Sequence, residues 1–208
     1  MAYLIHDIEN VPPDQFESYF FDANSWIIAI KLSYHSQEHP YEKKYADFFD
    51  AVINAASLVD PKLIRKLKHK PNISITSMLM SELINAYMRK IAMRMWFGGG
   101  QVYKTKNFKE DYRLKEDSDY SKQLKILVND IISYKDFTTV VDDDFKKIDP
   151  FTFIGNLSNT CDFNDLYYYY RFVELKNTCI VTDDADFLFQ DIPIITGNPK
   201  LLKHSDIK

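Results

Sequence analysis

Glycine is the first scarcity, with 5 in 208 residues. A loop that cradles phosphate through its backbone needs several glycines at set spacing, so a P-loop has nothing to be built from. Cysteine is scarcer still: Cys161 and Cys179 alone can supply neither a disulfide framework nor a structural zinc site, and such usage fits a reducing setting. No run approaches the ~18 apolar residues of a membrane span. The first residues, MAYLIHDIENVPPDQ, carry acids where a signal peptide carries cations. The expectation is a soluble cytoplasmic protein with no membrane association. An excess of positive charge is also lacking: 26 Lys and Arg stand against 30 Asp and Glu, a balance of −4 that does not by itself advertise a nucleic-acid binder. The five histidines (His6, His35, His39, His69, His204) form no metal-spaced pair.

What the chain does hold is a core. Hydrophobic residues make up 46% and charged residues 27%, which argues against disorder and repeats. The length suits one domain spanning 1–208. Its charges are segregated. Between Pro61 and Lys109, eleven basic residues face a single acid, Glu82. Between Asp136 and Asp191, twelve acids, nearly all Asp, face four cations. Solvated faces of opposite sign are the ordinary source of such runs. The isolation of Glu82 within the basic stretch is the feature that reading does not explain.

Hydrophobic periodicity predicts alternating elements. Ser18–Asp22 reads as an aromatic strand, followed by the polar Ala23-Asn24-Ser25 and the apolar Trp26–Ile30. Tyr41–Leu58 has helical spacing, punctuated by Pro61. Asn72–Ile75 is a short strand, and Ser77–Phe97 a long helix closed by Gly98-Gly99-Gly100. Gln101–Asp119 is polar and aperiodic, a loop, and Tyr120–Tyr134 and Asp144–Leu157 read as helices. Asn164–Lys176 reads as a helix capped by Asp162 or Asn164, then come strands Thr178–Thr182 and Ile192–Thr196. The pattern implies an α/β fold with a mostly parallel sheet and helices on both faces.

In such sheets ligands bind outside the carboxyl ends of the strands, where chain order reverses. Asp22 falls at one strand end, and Asp183, Asp184 and Asp186 follow another. Glu82 and Asp165 lie near the starts of two helices, where each also reads as an acid favoured by the helix dipole. Four converging carboxylates repel one another and are tolerated mainly around a divalent cation. All-oxygen ligation selects Mg²⁺ or Mn²⁺, and such a centre is the usual apparatus for hydrolysing phosphodiesters.

Three blocks resemble one family. Tyr19-Phe-Phe-Asp22-Ala-Asn24-Ser-Trp26-Ile27 resembles the opening strand of PIN-domain ribonucleases, and Ser77-Met-Leu-Met-Ser-Glu82-Leu-Ile-Asn85 their helix-borne Glu segment. Asp162-Phe-Asn-Asp165-Leu, continued by Cys179-Ile-Val-Thr182-Asp-Asp184-Ala-Asp186-Phe187, resembles their closing signature and is the most specific block. The resemblance covers about Ser18 to Leu32, Asn72 to Lys90 and Asp162 to Leu201. It implies a three-layer α/β/α PIN-like fold. It also implies that Asp22, Glu82, Asp165 and Asp184 are catalytic and hold Mg²⁺ or Mn²⁺, with Asp186 an additional ligand and Asn24, Thr182, Asp183 and Asp162 supporting. The implied activity is endonucleolytic cleavage of RNA, often by toxins restrained by an antitoxin protein, and homodimerisation is the family's habit. Departures from the family are an N-terminal extension, 1–17, and an enlarged helical middle, 98–159.

Leu4–Val11 also looks like a related nuclease opening, ending in Asp7, but the flanks of Asp22 are more strand-like and Asp7 is expected on an ordinary surface element. The cations on the Glu82 helix, Arg89, Lys90 and Arg94, are the expected RNA contacts. Tyr167–Tyr170 points around nearly the whole helix and so reads mostly as core or partner contact and not as a base-stacking platform. Two other classes compete: a non-catalytic RNA-binding or scaffolding protein on the same fold, and a phosphatase of haloacid-dehalogenase type with Asp22 as nucleophile. The latter wants a second Asp where Asn24 stands.

Overall fold

The computed structural model describes residues 3–32, 40–147, 149–157 and 161–205; His35 and His39 lie outside them. The described strands form one all-parallel sheet. In chain order they are β1 (Ile5–Asp7), β2 (Ser18–Phe21), β3 (Asn72–Ile75), β4 (Thr138–Val140), β5 (Thr178–Val181) and β6 (Ile194–Thr196). Their order across the sheet is β1-β6-β5-β2-β3-β4. Helices cover both faces, giving the three-layer α/β/α architecture that the alternating pattern implies.

The central strands contain hardly a polar side chain because both of their faces are covered. Tyr19, Phe20 and Phe21 of β2, all four residues of β5 and all three of β6 are buried. Such strands read as short unbroken apolar runs. Helix α1 (Ala23–Leu32) takes up the Trp26–Ile30 run, and it is apolar on most sides because it packs against both α2 (Pro40–Ala56) and α4 (Ser77–Tyr87). Trp26 meets Phe49 of α2 edge-on at 4.9 Å between ring centres. On the other face Phe20 lies 4.6 Å from Tyr168 and 4.3 Å from Phe172 of α8 (Phe163–Phe172). Full burial of a ring of that size contributes ~2–3 kcal/mol.

Thr76 caps α4 by accepting from the Leu79 amide at 3.1 Å. The helix runs through a π-turn, Met88–Ala92, into α5 (Met93–Trp96). It stops at Gly98, Gly99 and Gly100, which adopt φ of +73°, +82° and +63°, a left-handed stretch that glycine enters without a Cβ clash. α3 (Pro61–Ile64) and α9 (Pro199–Leu202) each begin on proline just after a capping Asp60 or Asn198.

Three expectations are corrected and one strand is added. Ile5–Asp7 is the edge strand of the sheet and not an ordinary surface element, pairing in register with Ile194–Thr196. Gln101–Asp119 is not structureless but contains a 3₁₀ turn, Val102–Thr105, and a π-turn, Phe108–Arg113, ahead of α6 (Tyr120–Ser133). Strand β4 went unread, since three residues with partly exposed side chains carry almost no periodic signal. The helix expected over 144–157 is a 3₁₀ turn, Phe145–Lys147, followed by α7 (Pro150–Gly155). Asp144 has φ of +50° and Pro150 lacks an amide proton, so helix cannot run through both positions.

Candidate acidic site at the sheet's switch point

From β2 the chain moves to β3 and β4 on one side, then returns to the other side with β5 and β6. The reversal therefore lies between β2 and β5, whose carboxyl ends open the crevice in which such folds bind ligands. The register sets Phe21 opposite Val181, so Asp22 and Thr182 leave the sheet side by side. The Thr182 hydroxyl donates to Asp22 Oδ2 at 2.5 Å, and the Ser25 amide, in the first turn of α1, donates to Oδ1 at 2.6 Å. Asp22 is thereby held nearly buried at the strand end.

Asp184 is tied to the same point. Its amide donates to Thr182 Oγ1 at 2.9 Å, while its own Oδ1 accepts from the Asp186 amide at 2.9 Å. Asp165 sits in the first turn of α8, its amide bonded at 3.0 Å to Asp162 Oδ1. Asp162 is thus the helix cap. Glu82 lies half-buried in the second turn of α4, beyond the free amides of the first turn, so the dipole reading of this residue fails. Its Oε2 accepts from the Tyr168 hydroxyl at 2.8 Å.

Electrostatics tie the four together. Burial pushes Asp22 up to about 6, against the pull of the Thr182 and Ser25 hydrogen bonds, and the charge of Glu82 adds to the rise. Asp165 is pushed up to about 7 by burial and then by Asp162, Asp184, Asp22 and Glu82. Four elements of the fold therefore bring carboxylates within mutual range. Among the described residues no Lys, Arg or His forms an ion pair with any of them.

The donor chemistry fits a hard cation, being oxygen throughout. Cys161, whose thiol is raised to about 11 by burial and by Asp165 and Asp162, stays protonated beside them. Among the described residues no three Asp, Glu, Cys or His side chains, as they stand, form a group that could hold an ion.

The remaining expected residues divide. Thr182 is integral to the site, as its bond to Asp22 shows. Asp183 faces elsewhere: it accepts from the Tyr41 and Tyr45 hydroxyls of α2, and its carbonyl accepts from Asn198 Nδ2 at 2.6 Å. Asn24 and Asp186 are exposed. Arg89, Lys90 and Arg94 are exposed along the helix that carries Glu82, with Arg89 lying 4.3 Å above the Phe108 ring. Asp7 ends β1, separated from β2 by the two strands β6 and β5, and accepts from the Glu9 amide at 3.1 Å. Two residues of the site were missed, Ser25 and Tyr168. Tyr168 could have been found, because it follows Asp165 by three residues on α8 and so shares its face. Of the run Tyr167–Tyr170, Tyr167 and Tyr168 are buried, Tyr169 is half-buried and Tyr170 is exposed.

Comparison with family models, curated proteins and solved structures finds no match to this chain.

Proposed function

We propose that this chain is a metal-dependent endoribonuclease of PIN type, hydrolysing RNA phosphodiesters at the acidic crevice. The observation that carries this reading is the crowding of carboxylates at the switch point, where the charges of Asp22, Glu82 and Asp184 act on Asp165 and that of Glu82 on Asp22, with no basic partner among the described residues. Left alone, such a cluster costs stability. A fold that keeps it has a use for the negative charge.

In this reading the four carboxylates hold Mg²⁺ or Mn²⁺, which when bound supplies Lewis-acid charge at the reacting phosphodiester. The protein's own part is orientation. Thr182 and Ser25 fix both oxygens of Asp22, and Tyr168 fixes one oxygen of Glu82. Asp165 holds a proton near neutral pH, so cation binding releases it and tightens as pH rises. Arg89, Lys90 and Arg94 attract RNA phosphates toward the crevice. The resemblance alone supports a toxin role with an antitoxin partner and a homodimeric assembly.

The test is cleavage of a labelled RNA pool by purified protein with Mn²⁺ or Mg²⁺ and with chelator, alongside Asp22→Asn and Asp184→Asn. Cleavage that needs the cation and is lost in both folded variants is the expected result. Absent or cation-independent cleavage, with RNA still bound, would overturn it in favour of a non-catalytic RNA-binding protein on this fold.

A further inference from the structure

Beside the acidic crevice lies a cavity of about 300 Å³ lined by Tyr3, Cys161, Ala185, Asp186, Leu188 and Phe189. That volume is at the small end for small-molecule sites. Its walls are mostly apolar and partly preformed. Phe189 is stacked on Tyr169, with ring centres 4.4 Å apart and planes 11° apart, and Phe187 packs edge-on against it at 4.8 Å. The one charged group in the lining is Asp186. Its amide is bonded to the Asp184 carboxylate, so the cavity starts one residue from the acidic quartet.

We infer that this cavity is a base-binding subsite for an unpaired guanine of the substrate, with Asp186 reading its Watson–Crick edge. The location rests on the nuclease reading; the chemistry of the pocket does not. A flat aromatic wall held by its own stacking takes a nucleobase at small entropic cost, and any base can stack there. Discrimination comes from the acceptor. A carboxylate offers only acceptors, two side by side. Guanine is the base that presents two adjacent donors, N1–H and the N2 amino group, on one edge, giving a bidentate charge-assisted pair. Adenine and cytosine offer one amino donor beside an acceptor that repels the second oxygen, and uracil offers one N–H between two carbonyls. A guanine already paired in a duplex has this edge engaged, so the pocket accepts only unpaired nucleotides. Asp186 then acts in specificity, apart from the cation.

The experiment measures binding of guanosine, adenosine, cytidine and uridine to the full chain in chelator, by saturation-transfer NMR titration. Neutral nucleosides avoid repulsion by the acids. Wild type should bind guanosine at least roughly tenfold tighter than the others. Asp186→Asn, an exposed change that should leave Tm unaltered, should bring guanosine down to the level of the rest. Phe189→Leu should weaken all four alike. Equal or undetectable binding by wild type, or a guanine preference that survives Asp186→Asn, overturns the inference. The two readings fail separately. Asp186-dependent guanosine binding without RNA cleavage under any cation would leave the pocket and remove the nuclease. Cation-dependent cleavage with no guanine bias and no nucleoside binding would do the reverse.

Discussion

Two acidic regions of this molecule differ in how their charge is balanced. Asp144 sits between Lys147, at 2.8 Å, and Arg171, at 3.3 Å, and its carboxyl is held below the ordinary range, chiefly by the Lys147 hydrogen bond. Asp22 and Asp165 are more deeply set, meet other carboxylates instead of cations and are pushed upward. Asp144 and Asp165 come from the same aspartate-rich stretch of the sequence, Asp136 to Asp191. The difference teaches that acid density alone does not mark a site. What marks it is acid density that the fold leaves uncompensated in a crevice.

The sharpest way to break that comparison is activity. Asp22→Asn and Asp184→Asn should each reduce cation-dependent RNA cleavage by roughly a hundredfold or more, the scale of losing one group that stabilises transition-state charge. Asp144→Asn should leave the rate within about twofold. Equal losses from both regions would remove the distinction. Next in size is Tyr168→Phe, which deletes the hydroxyl on Glu82. Loss of a residue that orients a ligand lowers metal affinity or activity about 10- to 100-fold, and the ring stays to pack on Phe20. A Mn²⁺ titration read by cleavage rate checks this.

Smaller effects concern stability. An acid whose folded pKa is raised stabilises the fold when protonated and withdraws that stability as pH climbs through the folded value. The metal-free protein should therefore lose Tm as pH rises from the ordinary carboxylate value of 3.8 through the values of about 6 and about 7 at Asp22 and Asp165, and flatten above them. At about 1.4 kcal/mol per tenfold change in proton affinity, buried Asp22 alone costs the fold ~3 kcal/mol at neutral pH. Asp165→Asn should raise Tm by a few degrees in chelator at pH 7.5, on a scale of ~2–4 °C per kcal/mol for a chain of this size. Saturating Mn²⁺ should erase that gain. For Asp144 the sign reverses: its lowered pKa stabilises the protein above the ordinary carboxylate range and is lost on acidification, so Asp144→Asn should lower Tm slightly at pH 7.5. Thermal melts across pH, with and without Mn²⁺, read all three.

Much of the architecture was legible because burial leaves a plain imprint on composition. β2, β5 and β6 are short, apolar and bounded by turn residues, and the long helical stretch over Ser77–Phe97, which holds α4, the π-turn and α5, is stopped by three glycines. Strand β4 and the broken 144–157 segment were not, because a three-residue edge strand and a single left-handed aspartate produce no period to detect. At the site, Asp22, Asp165 and Asp184 could be read from strand ends and a helix start. Asp183 could not be told from Asp184, since adjacent residues in an irregular turn have no fixed facing. The Tyr41 and Tyr45 hydroxyls that claim Asp183 lie about 140 residues away in the chain.

Local chemistry by itself determined the order of strands and helices, the two charged halves and the acids at element ends, because hydrophobic spacing, capping and glycine act over a few neighbouring residues. Only the tertiary structure decided that β5 pairs beside β2, that Thr182 therefore reaches Asp22, that Tyr168 reaches Glu82, and that a pocket opens against Phe189. Those outcomes depend on contacts between residues far apart in the chain. Such contacts form only when the whole sheet has closed and removed both partners from water.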